Sequence, residues 1–345
     1  MLERIADFFH FMCDNKEKRL YYVLPIDKKL PYAYQHSAIR DIATVCDILD
    51  LVQVFEERQL KLTPHTLNLF EEVAGNSINF YQRLYLQGRW AALPESNIGD
   101  LGFFLLALLK CQDVFPSQSP KNGRETVNLI IEQLTERQKP DGSLQIFFDK
   151  SLKPFEGSAE AFYLPEALIG LIAALKRVPM DQRGQIKETV QKAVAYLCDG
   201  VNRKRHLAAD HSTFYFNWQA QLLYHWIHIN KDANLSLEIT HLQSLIASIK
   251  SKEIAQATFN RPVATVEVAC YFEGLVHAKR ILEMLNLPAT DTGWFSKEID
   301  RCLAFLYELQ NDTFESFHGG FIHSRGDNEA RVDVAGHIFG ALRFL

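Results

Sequence analysis

Two kinds of apolar pattern alternate along the chain. In the first, apolar residues recur on one face with the period of an α-helix, as in Val127–Arg137, Lys187–Leu197 and Ile299–Leu309. In the second, the segment is apolar all round, as in Leu101–Leu109, which suits a helix buried on every side. Helices of the second kind carry one or two polar residues near their N-terminal ends. They begin near Gln35–His36, Gly99–Asp100, Pro165–Glu166, Phe216–Asn217, Val266–Glu267 and Asp333–Val334. The spacing predicts six helical hairpins of roughly 57 residues, which together use all 345 residues.

Alternating β-branched runs are nearly absent, and only short extended pieces are expected, at Leu144–Phe148 and Gly320–His323. Both follow similar junctions. An amphipathic helix stops at Gln138 or Gln310, and a glycine turn leads into the extended piece. The expected fold is all-α: a closed toroid in which apolar inner helices are covered by amphipathic outer ones, around a central cavity. A helix N-terminus has unpaired N–H groups and a positive dipole end. Polar residues repeated at the inner-helix starts would therefore gather in one funnel. An open α-solenoid is the alternative, but its repeats are shorter, about 34–47 residues, and more uniform.

Composition narrows the reading. Glycine (17) and proline (12) are sparse and form no linker, so residues 1–345 are expected to make one domain. Thirty-seven basic against 42 acidic residues leave a charge of −5 and no basic run, which argues against nucleic acid as a partner. No apolar stretch approaches 18 residues, so no membrane span is expected. Met1–Asp7 carries acids where a signal peptide needs a basic flank. The expected location is cytoplasmic, with export by a signal-less route left open. Six cysteines stand about 30 or more residues apart without a CxxC, which reads as reduced core residues. His318 and His323 lack a partner at ligand spacing, so no metal and no cofactor are expected.

The segments Gln35–Ala38, Gly99–Gly102, Gln138–Leu144, Pro165–Leu168, Asp210–Ser212, Glu273–Leu275, Gly319–Ser324 and Arg331–His337 form an ordered series. In this series the chain resembles the six-hairpin (α/α)6 toroid proteins, which include sugar 2-epimerases, unsaturated glucuronyl hydrolases and other glycosidases. It is most similar to bacterial toroid proteins of glucuronyl C5-epimerase-like type. The resemblance spans about residues 30–345 and implies a toroid with a sugar-binding funnel. Two positions depart from the pattern: Gly336 stands where Gln precedes the last His, and Pro165 where Gly precedes Glu166. The Gln138–Leu144 turn also resembles terpenoid-cyclase toroids, but the DxDD acid of those enzymes is absent, as is the Cys-His-Gly of lanthionine cyclases.

Arg331-x-Asp333-x-x-x-His337 is the sharpest constellation. Asp333 and His337 share a helix face, so the acid could orient the imidazole as a general acid or base, and Arg331 could clamp a carboxylate. A structural network closing the ring is the alternative. His36, Arg40 and Asp41 open the first inner helix, which ring closure would set beside the last. Glu166 starts an apolar helix where a carboxylate needs a reason to be buried. Asp333 or Asp41 would be its acid/base partner. The expected catalytic set is Asp333, His337, Glu166 and Asp41. Expected to contact substrate are His36, Arg40, Asp100, His211, Trp218, Glu267, Glu273, His323 and Arg331, with Trp218 as an aromatic face for a sugar ring.

An epimerase would use His337 or His211 as base, with Arg40 or Arg331 on the substrate carboxylate. A hydrolase would use paired carboxylates, and a lyase on a uronic acid belongs to the same class. The ligand expected is a small sugar or oligosaccharide. A non-catalytic toroid binding a glycan or protein partner, and an isoprenoid-handling toroid, are the other readings. Oligomeric state is not legible.

Overall fold

The structure, a computed structural model, describes residues 2–25, 36–93, 96–149, 158–200, 202, 212–231, 233–251, 264–287, 292–310, 320–322 and 329–344. Twelve α-helices lie among the described residues. They are α1 (Leu2–Phe11), α2 (Ala38–Glu57), α3 (Pro64–Leu86), α4 (Ile98–Val114), α5 (Gly123–Thr135) and α6 (Ser158–Leu175), followed by α7 (Met180–Cys198), α8 (Ser212–Ile229), α9 (Ser236–Ser251), α10 (Ala264–Met284), α11 (Thr292–Leu309) and α12 (Val332–Leu342).

The inner helices pack in the order α2, α4, α6, α8, α10, α12, and α12 packs again on α2. The ring is therefore closed, and the fold is an all-α (α/α)6 toroid. The all-round apolar pattern of the second inner helix has its reason here, because every residue of Ile98–Leu109 is buried. The amphipathic helices α3, α5, α7, α9 and α11 lie outside, each against the inner helix before it. The sixth outer helix is α1, packed on α3. Its Phe9 meets Phe339 of α12 edge-on at 5.7 Å. One hairpin of the six is thus assembled from the two ends of the sequence.

A two-stranded antiparallel sheet ties that seam. Strand β1 (Val23–Pro25) pairs with β2 (Glu329–Arg331) in the register Val23↔Arg331, Leu24↔Ala330 and Pro25↔Glu329. The extended pieces expected at 144–148 and 320–323 form isolated bridges instead: Gln138↔Leu144, Asn97↔Phe147, Gln310↔Phe321 and Ile322↔Ala330. At both junctions the Gln that ends the helix bridges to the extended piece. In the first, Gly142 adopts φ +92, and a Cβ there would lie 2.7 Å from Lys192 O. The inner helix expected to begin at Pro165–Glu166 starts earlier, at Ser158, and runs through the proline. A proline inside a helix reads in sequence as a first-turn residue, where its missing N–H costs nothing. None of the six cysteines forms a disulfide. No described helix is long and apolar enough to cross a membrane.

Candidate active site

The inner helices bring their N-terminal ends to one face. A cavity of about 170 Å³ opens there, lined by Arg19, His36, Ser37, Ala38, Ile39 and Arg40 from the first part of the chain. Leu93, Asn97 and Asp100 line it from the start of α4, and Tyr163 from α6. At its edge α2 and α12 are joined by ionic contacts. Asp333 Oδ2 accepts from Arg40 Nε at 3.2 Å and from Arg331 Nη2 at 2.5 Å, and Oδ1 accepts from Arg331 Nε at 3.0 Å. The Tyr22 hydroxyl donates to Oδ2 at 3.4 Å. Its ring lies 4.8 Å from the Arg40 guanidinium and 4.6 Å from that of Arg331. Burial opposes the Asp333 charge, but the Arg331 and Arg40 guanidiniums outweigh it and hold the carboxyl below its usual range. Burial and Asp333 push Tyr22 up to about 12, so it stays a donor. Asp333 is a permanent anion with its lone pairs occupied, unsuited to giving a proton.

Glu166 is the opposite case. Its side chain is buried on α6, and its Oε2 has no hydrogen-bond partner. Burial and then the neighbouring Asp100 raise its pKa well above the ordinary value, against the pull of Arg40 and His337. The carboxyl reaches into the N-terminus of α4, where Gly99 leaves room for it. A Cβ on Gly99 would overlap Glu166 Oε2 and lie 2.9 Å from Asn97 Oδ1 and 3.1 Å from Tyr163 Cδ1. Asp100 is fixed by a capping box. Asn97 Oδ1 accepts from Gly99 N at 2.8 Å and Asp100 N at 3.2 Å, and Asp100 Oδ2 accepts from Asn97 N at 3.2 Å. A carboxyl whose pKa is raised by burial and a rigidly held one thus stand together beside the cavity.

His337 lies one turn below Asp333, yet its hydrogen-bond partner is not that acid. Nδ1 is 2.9 Å from Glu273 Oε2 on α10. This corrects the expected Asp333–His337 pairing. From the first turn of α12, Asp333 turns outward to the two arginines, while His337 faces the axis. Glu273 Oε2 also accepts from Asn217 Nδ2 at 3.0 Å. Burial opposes a proton on His337, but its contacts with Cys270 and Glu273 outweigh it and raise the pKa well above that of free imidazole. Burial raises the Cys270 thiol as well. Cys270 therefore acts as a neutral neighbour to the His337–Glu273 contact.

Below this pair the axis is filled. A cavity of about 20 Å³, room for about one water, is lined by Cys46, Asp47, Asp50, Phe103, Lys110, Trp218, Gln221, His225 and Arg343, among others. Asp50 pairs with both Lys110 and Arg343. Arg343 Nη2 also donates to His277 Nε2 at 3.1 Å. Burial and the adjacent Glu273 raise the Asp47 carboxyl. The end of the axis away from the inner-helix starts is closed by this buried ionic group.

Of the residues expected to act, His36, Arg40 and Asp100 line the mouth cavity, with Glu166, Asp333 and Arg331 next to its walls. Trp218 lines the lower cavity and packs on Phe103 at 5.3 Å and His337 at 5.5 Å. Glu273 and His337 sit between the two cavities. Asp41 turns the other way: its Oδ1 accepts from Ser77 Oγ of α3 at 2.9 Å and its Oδ2 from Leu20 N at 3.2 Å. Glu267 is buried at the start of α10 and lines neither cavity. His211 and His323 lie outside the described residues. Tyr22, Asn97, Tyr163 and the axial group around Asp50 had not been singled out. Asp47, Asp50 and Lys110 carried a signal, as charges in otherwise apolar inner helices.

No protein-family model and no curated protein matches the chain. Solved structures do. An unsaturated glucuronyl hydrolase specific for heparin aligns with a TM-score of 0.61 and 11% identity, over 99% of this chain and 96% of that one. The GH76A α-1,6-mannanase from Salegentibacter sp. HEL1_6 aligns at 0.59 and 9% identity, over 99% and 97%. A family 76 glycoside hydrolase from a bovine Bacteroides thetaiotaomicron strain aligns at 0.63 and 8% identity, over 99% and 77%. At such identities the likeness is one of fold, and in fold this chain is an (α/α)6 toroid of the kind those sugar-active proteins share.

Proposed function

We propose that this chain is a carbohydrate-active hydrolase working at the mouth of the toroid, with Glu166 as its proton donor. The observation that carries the reading is the setting of Glu166: 3% exposed, with one oxygen unpartnered, and with its pKa raised by burial and by the neighbouring Asp100. Glycoside cleavage needs one carboxyl protonated near neutral pH and a second that stays ionised. Asp100, fixed by its capping box, is the second. Arg40 offers a half-exposed guanidinium to sugar oxygens or a uronate, and Tyr163 a ring edge. The fold's likeness to a mannanase and a glucuronyl hydrolase makes sugars the first substrates to try. An epimerase is less well served, because it needs a neutral base and the pKa of His337 is raised above that of free imidazole. Six cysteines without a disulfide suit a reducing compartment.

A non-catalytic glycan-binding toroid is the second reading, favoured by the saturation of Asp333. One experiment separates the two. Wild type, Glu166→Gln and Asp100→Asn are assayed for glycan binding and for cleavage of aryl mannosides, mannan fragments and uronate-containing oligosaccharides. A hydrolase loses about 100-fold or more of its turnover in Glu166→Gln while still binding. Binding by all three with no cleavage by wild type gives the non-catalytic reading.

A further inference from the structure

The loop from Cys13 to Leu20 folds across the start of α2. Asp14, Glu17 and His36 each present one donor atom there, and the three atoms lie within 4.8 Å of one another. The loop is braced by its own backbone: Lys18 N donates to Asp14 O at 2.8 Å, and Asp14 N to Arg19 O at 2.8 Å. His36 Nδ1 is 2.8 Å from Leu20 O. A carbonyl oxygen only accepts, so Nδ1 carries the ring hydrogen. Nε2 then faces Asp14 Oδ2 at 3.6 Å and Glu17 Oε2 at 3.9 Å, beyond hydrogen-bond reach. The imidazole side chain is only 9% exposed and stacks on Tyr21 at 4.8 Å, so it is not free to turn toward water. An Nε2 facing two carboxylates at these distances calls for a proton or a metal ion between them. Metal-bound histidines have this same orientation, with the far N–H on a backbone carbonyl.

We propose that Asp14, Glu17 and His36 bind one first-row divalent cation, such as Zn²⁺ or Mn²⁺, which ties the loop to the start of α2. One imidazole and two carboxylates suit such an ion. At ligand distances of about 2.0–2.2 Å, two donor atoms stand at most about 4.4 Å apart. The 3.6 and 3.9 Å separations satisfy this. The widest closes by a small rotation of Glu17, whose side chain is 42% exposed. Arg19 Nε also donates to Glu17 Oε2 at 2.7 Å, so this oxygen would be shared between the guanidinium and the ion. Because His36 and Arg19 also line the mouth cavity, the ion would sit in its wall. The inference does not rest on the hydrolase reading.

Isothermal titration of chelator-treated protein with ZnCl₂ and with MnCl₂ at pH 7, run beside thermal melts, tests it. Expected are one site per chain, a melting point raised by several degrees, and an affinity at least about tenfold weaker in Glu17→Gln and His36→Ala. His65→Ala, altering an exposed His65–Asp7 pair, leaves both readouts unchanged. Failure of wild type to bind either metal, or equal affinity in wild type and Glu17→Gln, overturns the proposal. Should His36→Ala not fold, anomalous scattering at the zinc edge decides: a peak among the three side chains supports the site, and its absence there overturns it.

Discussion

Arg40 and Asp333 stand 293 residues apart in sequence, yet Arg40 Nε lies 3.2 Å from Asp333 Oδ2. With Arg331 and Tyr22 this contact closes the seam between the first and last inner helices. The partners are unequally buried: the side chain of Arg40 is 42% exposed, that of Arg331 14% and that of Asp333 8%. Removing the acid leaves a buried guanidinium without its counter-charge, which costs about 3–5 kcal/mol. Asp333→Asn should therefore lower the melting temperature by on the order of 10 °C. Arg40→Gln removes a half-exposed partner and should cost about 1 kcal/mol or less. Thermal unfolding of the two variants checks the ranking, and the reverse order would mean that Arg40 carries the closure.

Asp41 predicts a pH dependence of stability. Burial pushes its carboxyl up to about 6, against the hydrogen bonds from Ser77 and Leu20. A raised pKa means that the folded chain binds the proton more tightly than the unfolded one. The stabilisation is thus fully present below the unfolded value, near 4, and lost as pH rises to about 6. Measured against Asp41→Asn, wild type should lose about 2–3 kcal/mol across that window and nothing further above it. Urea denaturation between pH 4 and 8 gives the difference, and a flat one would mean that Asp41 is ionised in the fold.

Once a substrate is in hand, Glu166 predicts the alkaline limb of the rate profile. A general acid works while protonated, so kcat/KM falls as pH rises through its pKa. The Asp100 charge helps to hold that pKa up. Asp100→Asn should move the limb to lower pH, and Gly99→Ala, which displaces Glu166 Oε2, should lower the rate while changing the melting temperature by only a few degrees. A limb unmoved in Asp100→Asn would assign the acid elsewhere.

Arg343 and Lys110 share Asp50 at the closed end of the axis. Arg343→Ala leaves Asp47 and Asp50 with less positive charge in a buried setting. It should cost about 3 kcal/mol or more while leaving ligand binding at the mouth intact. Denaturant unfolding together with a binding assay would expose a variant that is stable but unable to bind, which is the result that contradicts this division.

Much of the architecture was legible, because periodicity reports burial directly. The six inner helices start near the residues that break an apolar run with a polar one, and Asp100 and Glu166 announce themselves as charges in such runs. The roles of those charges were not legible. His337 pairs with Glu273 rather than with Asp333, because helix rotation in the ring, not spacing along one helix, sets what each face meets. Asp41 reads in sequence as an acid/base partner for Glu166 but serves the outer helix α3 and the loop at Leu20. Tyr22 and the Asp14–Glu17 loop lie outside any periodic segment, and only the closed ring brings them to α2 and α12.

The pairing of residues 23–25 with 329–331 has a consequence for synthesis. About 300 residues must leave the ribosome between the two strands, which at typical rates takes roughly 15 to 60 s. For that time the hairpins already made form an open arc, with apolar faces of α2 and α10 bare at its two ends. The last seam pairs the most distant parts of the chain, the slowest kind of contact to form. A nascent toroid of this kind is exposed to aggregation until its final helix arrives, and it is at that interval that a chaperone would matter most.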